Sequence, residues 1–107
     1  MVGELSASVQ AFHDRFGLKG AATCEELLSR IPIQDEEVRE LHDAILYESP
    51  ERVASEALDT LYVAIGTVLR LDPGIVAIAL DDIIKKNNSK TLLTHHINEA
   101  GKVVRRS

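Results

Sequence analysis

The sequence predicts an all-α fold, a bundle of four to five helices, on three observations. Apolar residues recur at helical spacing far more often than in strand-like alternation. Helix start signals appear at regular intervals along the chain. The 107 residues, 45% of them apolar, are enough for one core and too few for two domains.

The elements follow in order. Val2, Leu5, Val9, Phe12 and Phe16 form one apolar stripe of a first helix ending near Gly17. Thr23 and Glu26 have the spacing of a capping box, so a second helix should begin at about Cys24. Pro32 is expected to kink or restart it, and Ile33, Val38, Leu41, Ala44 and Ile45 carry it on to about Tyr47. Ser49-Pro50-Glu51 combines a cap, a proline in the first turn and an acid at the positive helix end. The helix it starts, roughly 50 to 70, points apolar residues in so many directions that burial nearly all round is expected. Asp72-Pro73 opens a last helix to about Lys86, whose run Val76 to Leu80 reads as core. After Asn87 the periodicity fades, and the end reads as an irregular arm. Residues 1–90 are thus read as one domain and 91–107 as a basic C-terminal arm.

Charge narrows the function classes. The net charge is −5, with 12 bases against 17 acids, which argues against stable nucleic-acid binding. The distribution is uneven: residues 83–107 hold Lys85, Lys86, Lys90, Lys102, Arg105 and Arg106 against Glu99 alone. An acidic body with a basic arm suits a ligand carrying both cations and phosphates, and equally a solvated tail. The single cysteine, Cys24, excludes an internal disulfide and a Cys-based zinc site, and it reads as structural. The chain shows neither a secretory leader nor a membrane span, so a cytoplasmic protein is expected.

Glu36, Glu37 and Glu40 lie on one side of the second helix, where acids alone would suit a solvated first turn. Glu56 and Asp59 are less easily explained. They lie three apart on a helix with no other charge from Val53 to Leu69. Two carboxylates buried together repel and lose hydration, so bases or divalent cations must offset them. Arg52, one turn before Glu56, is the one nearby base, and that imbalance favours a metal. An all-oxygen donor set with no nearby cysteine suits Mg²⁺, with Mn²⁺ as a substitute. A di-iron bundle would need Glu-x-x-His pairs, and no glutamate here has a histidine three residues later.

These residues carry a resemblance. Glu37-x-x-Glu40, a gap of 15 residues and Glu56-x-x-Asp59 resemble the signature of the MazG-like all-α nucleoside triphosphate pyrophosphohydrolases. EEVREL and EALDTLYVAIGTVLRLD resemble the family's two acidic helices. Asn87-Asn88-Ser89-Lys90 resembles its N-x-S-K phosphate-side motif, Gly101-Lys102-Val103 a G-K-V that follows it, and FHDRFG the opening helix of the compact branch. The short gap and Pro32 depart from the pattern.

The resemblance implies hydrolysis of a nucleoside triphosphate, such as dUTP or dCTP, to the monophosphate and pyrophosphate, with phosphoribosyl-ATP as a related possible substrate. It implies Glu36, Glu37, Glu40 and Asp59 as metal ligands and Glu56 as ligand or base, the catalytic set being Glu37, Glu40 and Glu56. Asn87 and Lys90 would face the phosphates, with Lys86, Lys102 and Arg105 as looser candidates. A homodimer or larger homo-oligomer is expected both from the family and from the excess of apolar helix surface. The competing reading is a non-catalytic helical module with a structural ion site. His95 and His96 read as a surface-loop pair, His13 and His42 as helix-surface or half-buried residues, and Gly66 as a point of close approach.

Overall fold

Strong local start signals divide the chain into helices, and they hold in the structure. A computed structural model describes residues 1–107, with α1 at Val2–Arg15, α2 at Cys24–Tyr47, α3 at Pro50–Leu69 and α4 at Pro73–Asn88. Two short strands follow, β1 at His95–Ile97 and β2 at Val103–Arg105. Helices hold 69% of the residues, so the fold is all-α as expected. The chain divides into two units, Met1–Pro73 and Gly74–Ser107. No helix is long and apolar enough to cross a membrane.

In the first unit, α2 and α3 form an antiparallel hairpin, because a two-residue link leaves the chain no other way to pack them. The capping box at Thr23 is complete: its hydroxyl accepts from the Glu26 amide at 3.1 Å, and Glu26 accepts from the Thr23 amide at 3.2 Å. Ser49 caps α3 through the Arg52 amide at 3.3 Å. Side chains then lock the register. Arg30 Nη2 donates to the Val63 carbonyl at 2.8 Å, Gln34 to the Thr60 carbonyl at 3.1 Å, and the Thr60 hydroxyl to the Glu37 carbonyl at 3.2 Å. Numbers rise on one helix as they fall on the other. Helix α1 lies against α3, with Val9 fully buried and the Phe12 ring meeting Tyr62 edge-on at 84°.

Several expectations change. Helix α2 runs through Pro32 without interruption. The ring deprives the Leu28 carbonyl of its helical donor, but Leu28 and Pro32 are both exposed, so water can replace it. Helix α3 is not buried all round: Leu58 and Val68 are 40% and 44% exposed. Two neighbouring helices cannot surround a third. Nor is the Val76 to Leu80 run core, since Ile78 is 67% exposed. A run longer than a helical turn faces every direction, and one small chain cannot cover it.

The second unit ends in a hairpin rather than an irregular arm. Strands β1 and β2 pair antiparallel, His95 opposite Arg105 and Ile97 opposite Val103. The turn closes through Asn98, whose Oδ1 accepts from the Ala100 and Lys102 amides at 3.0 and 2.9 Å. Gly101 supplies the positive φ of 83° that the turn requires. Strands of three residues are too short to leave an alternation in the sequence.

Candidate functional site

The antiparallel register sets the second half of α2 beside the first half of α3, and this brings the acids together. One carboxylate oxygen from each of Glu37, Glu56 and Asp59 lies within 4.8 Å of the other two. Glu56 is buried, Glu37 half-buried and Asp59 exposed, so the expected burial of Asp59 is not observed. The cluster therefore opens to solvent on the Asp59 side.

Its electrostatics follow from like charges under partial cover. Burial, followed by the charges of Asp59, Glu56 and Glu36, pushes the Glu37 carboxyl above the usual carboxylate range. Glu40 is also raised, first because a proton on it makes a hydrogen bond to Glu56, then by burial and by Glu37. Ionised, these groups are acceptors only and cannot pair with one another. Arg52 Nη2 contacts Glu56 Oε1 at 2.5 Å, a pairing one turn along the helix that the sequence reading discounted in favour of a metal. It satisfies one oxygen. Glu56 Oε2 and Glu37 Oε2 stay enclosed with no hydrogen-bond partner.

Such orphaned oxygens ordinarily have a partner. The donor set consists of hard oxygens from three carboxylates on two rigid helices, and it fits a hard divalent cation. Glu36 and Glu40 are both exposed; Glu40 acts on the cluster first through its hydrogen bond to Glu56, and Glu36 through its charge.

The residues expected from sequence to face phosphates belong to the second unit. Asn87 Nδ2 donates to the Ile83 carbonyl at 2.9 Å, and its Oδ1 accepts from Lys90 Nζ at 3.2 Å, so Asn87 closes α4 and steadies the lysine. Lys86 is exposed in the last turn of α4. Lys102 lies at the hairpin turn, and Arg105 opposite His95.

A second polar centre, at the other end of the α2–α3 hairpin, leaves no local signal in the sequence. His13, expected at the helix surface or half-buried, is only 4% exposed, and Arg70 only 7%. Arg70 Nη2 pairs with Glu26 at 2.5 Å, and its Nε donates to the Gly20 carbonyl at 3.0 Å. Burial, then Arg30 and Arg70, lowers the His13 pKa and favours a neutral ring. Gly66 does permit close approach, of side chains rather than a helix backbone: a Cβ there would lie 2.8 Å from Arg30 Nη2 and 2.9 Å from His13 Nε2. Cys24 is a free, exposed thiol at the start of α2.

Comparison with known proteins gives one family. No curated protein and no solved structure gives a significant match. The family model described as phosphoribosyl-ATP pyrophosphohydrolase matches residues 9–89, a span that holds all five acids as well as Lys86 and Asn87. With helices, acids and family model in agreement, the chain belongs to the phosphoribosyl-ATP pyrophosphohydrolase family, within the MazG-like superfamily of enzymes that cleave phosphoanhydride bonds.

Proposed function

We propose that the protein is a Mg²⁺-dependent nucleoside triphosphate pyrophosphohydrolase, converting a (d)NTP to the monophosphate and pyrophosphate, with a role in cleansing the nucleotide pool. The supporting observation is the Glu37, Glu56 and Asp59 cluster with its two enclosed, unpartnered oxygens. In this reading those three residues hold Mg²⁺, or Mn²⁺ in its place, with Glu40 and Glu36 adding negative charge around it. A bound cation would supply charge neutralisation for the phosphate oxygens and a more acidic bound water. The chain's own residues do the rest. Glu37 and Glu40 have raised proton affinity and, with Glu56, are the candidates for accepting the proton of an attacking water. Lys90, Asn87, Lys86, Lys102 and Arg105 are assigned to the phosphates.

A second reading, favoured by the family match, makes phosphoribosyl-ATP the substrate. It is the same bond cleavage on a bulkier nucleotide. A panel of (d)NTPs and phosphoribosyl-ATP with Mg²⁺, assayed for pyrophosphate, separates the two. Absence of turnover on every member would leave the non-catalytic module with a structural ion site.

The exposed apolar residues of α3 and α4, among them Leu58, Ile75 and Ile78, support a homodimer or larger homo-oligomer. Light scattering tests this, and a fully active monomer would exclude it. Cytoplasmic residence belongs to the same reading, because nucleoside triphosphates are found there.

A further inference from the structure

The second unit holds a cavity of about 330 Å³, bordered by Lys90, Thr91, His95, His96, Ile97 and Val103. It lies in the segment read from sequence as an irregular basic arm, and three features separate it from a solvated tail. Nδ1 of His96 is enclosed and has no hydrogen-bond partner. The bases of the segment stand uncompensated, since none of Lys90, Lys102, Arg105 and Arg106 forms an ion pair. Two of them are close enough to act on His95: after burial, Arg105, Lys90 and then His96 disfavour its charged form. Lys90 and His95 are nonetheless anchored, Lys90 Nζ by Asn87 Oδ1 at 3.2 Å and His95 Nδ1 by the Thr94 hydroxyl at 2.7 Å. Like charges gathered in one short segment against Glu99 alone, with no ion pair formed, are unfavourable by themselves. An anion removes the conflict.

We propose that this cavity is an anion subsite for a phosphoanhydride group, with His95 and His96 joining Lys90 as its binding residues. A diphosphate carries several charges and many acceptor oxygens, and so suits the Lys90 ammonium, the ring N–H groups of His95 and His96 and the Thr91 hydroxyl. Either the triphosphate tail of the substrate or the product pyrophosphate would present it. The choice of anion rests on the pyrophosphohydrolase reading, while the existence of the subsite rests on the cavity.

The test is a titration of the full chain without divalent cations, following the imidazole signals of its four histidines by NMR. One arm uses pyrophosphate, a second a non-hydrolysable α,β-methylene nucleoside triphosphate, and a third sodium chloride at matched ionic strength. The expected result is a saturable shift of the His95 and His96 rings by pyrophosphate, the triphosphate analogue or both, while His13 and His42 stay still. Which arm acts identifies the source of the group. Lys90→Ala and His96→Gln should each weaken that binding about tenfold. Unmoved His95 and His96 rings, equal shifts with chloride, or unchanged affinity in both variants would overturn the subsite. A saturable shift in a protein that turns over no nucleotide would instead keep the subsite and remove the enzyme reading.

Discussion

The two ends of the α2–α3 hairpin are built from the same helices and meet opposite electrostatic fates. At the end near Gly66, Arg70 reaches both Glu26 and the Gly20 carbonyl, and Arg30 reaches Thr67 Oγ1 at 2.6 Å and the Val63 carbonyl. Its guanidinium groups are satisfied by groups within the chain, and His13 Nδ1 alone is left over. At the other end Glu37, Glu56 and Asp59 converge with Arg52 as the one base, and two enclosed oxygens find nothing. The first arrangement closes the fold around guanidinium donors that it can satisfy. The second keeps an unpaired surplus where a ligand can complete it, which is how functional sites depart from local consistency.

The largest effect that would break this contrast is on turnover. Asp59→Asn should lower kcat about a thousandfold while leaving the circular dichroism spectrum unchanged. Several kcal/mol of transition-state charge stabilisation depends on the bound cation, at roughly 1.4 kcal/mol per tenfold. Glu36→Gln, outside the triad, should cost less than about tenfold, because a neighbouring charge screened by solvent acts weakly. Equal losses in the two variants would erase the distinction between ligand and bystander.

Next in size is the response to metal. A cation that binds only the folded chain stabilises it by about 2.7 kcal/mol at a hundredfold excess over Kd. That corresponds to a rise in Tm of about 10 °C or more for a domain of this size. Scanning calorimetry with and without Mg²⁺ should show the rise in the wild type and lose it in the Glu37→Gln/Asp59→Asn double variant. Arg70→Met should melt lower and still respond to Mg²⁺, because the basic end takes no part in binding it.

The acidic end was legible in the sequence and the basic end was not, for a physical reason. Glu37, Glu40, Glu56 and Asp59 announce themselves through i,i+3 spacing within single helices, a local pattern. The Arg70 to Glu26 pair spans 44 residues, and the Arg30 to Thr67 bond spans 37. Neither leaves a periodic trace. Caps at Thr23 and Ser49 were readable because they too are local. The Arg52 to Glu56 contact does have a local signal, the i,i+4 spacing, but a single base cannot offset two acids. Burial of α3 and α4 was overestimated because periodicity records how much surface is apolar and says nothing about whether the same chain covers it.

Gly66 offers a smaller test, confined to the basic end. In an open helix, Ala in place of Gly gains about 1 kcal/mol. Here the added methyl meets Arg30 Nη2 and His13 Nε2 below 3.0 Å, and both are held, the arginine by two hydrogen bonds and the imidazole by burial. Overpacking of this kind costs about 1–3 kcal/mol. Gly66→Ala should therefore lower stability by about 1 kcal/mol net in chemical denaturation, and a stabilised variant would show that the contact yields freely.

The subtlest effect is in pH, where the two ends pull in opposite directions. Glu37 and Glu40 have folded pKa values raised above the ordinary 4.5, so their contribution is fully present below that value and is lost as pH rises through the raised ones. His13 has a folded pKa lowered from the ordinary 6.5, so its contribution is present above 6.5 and is lost as pH falls through the lowered value. Glu26, lowered by the Thr23 amide and by Arg70, loses its contribution only as pH falls below 4.5. The wild-type curve mixes these terms, and a difference between variants separates them. Without divalent cations, the stability of Glu37→Gln relative to wild type should grow as pH rises from about 4.5 to 8, because the substitution removes one of the repelling charges. Saturating Mg²⁺ should reverse the sign at neutral pH, since the charge that strains the free protein then holds the ion. A difference that stays flat with pH would mean that the acids do not strain one another, and the contrast between the two ends would vanish.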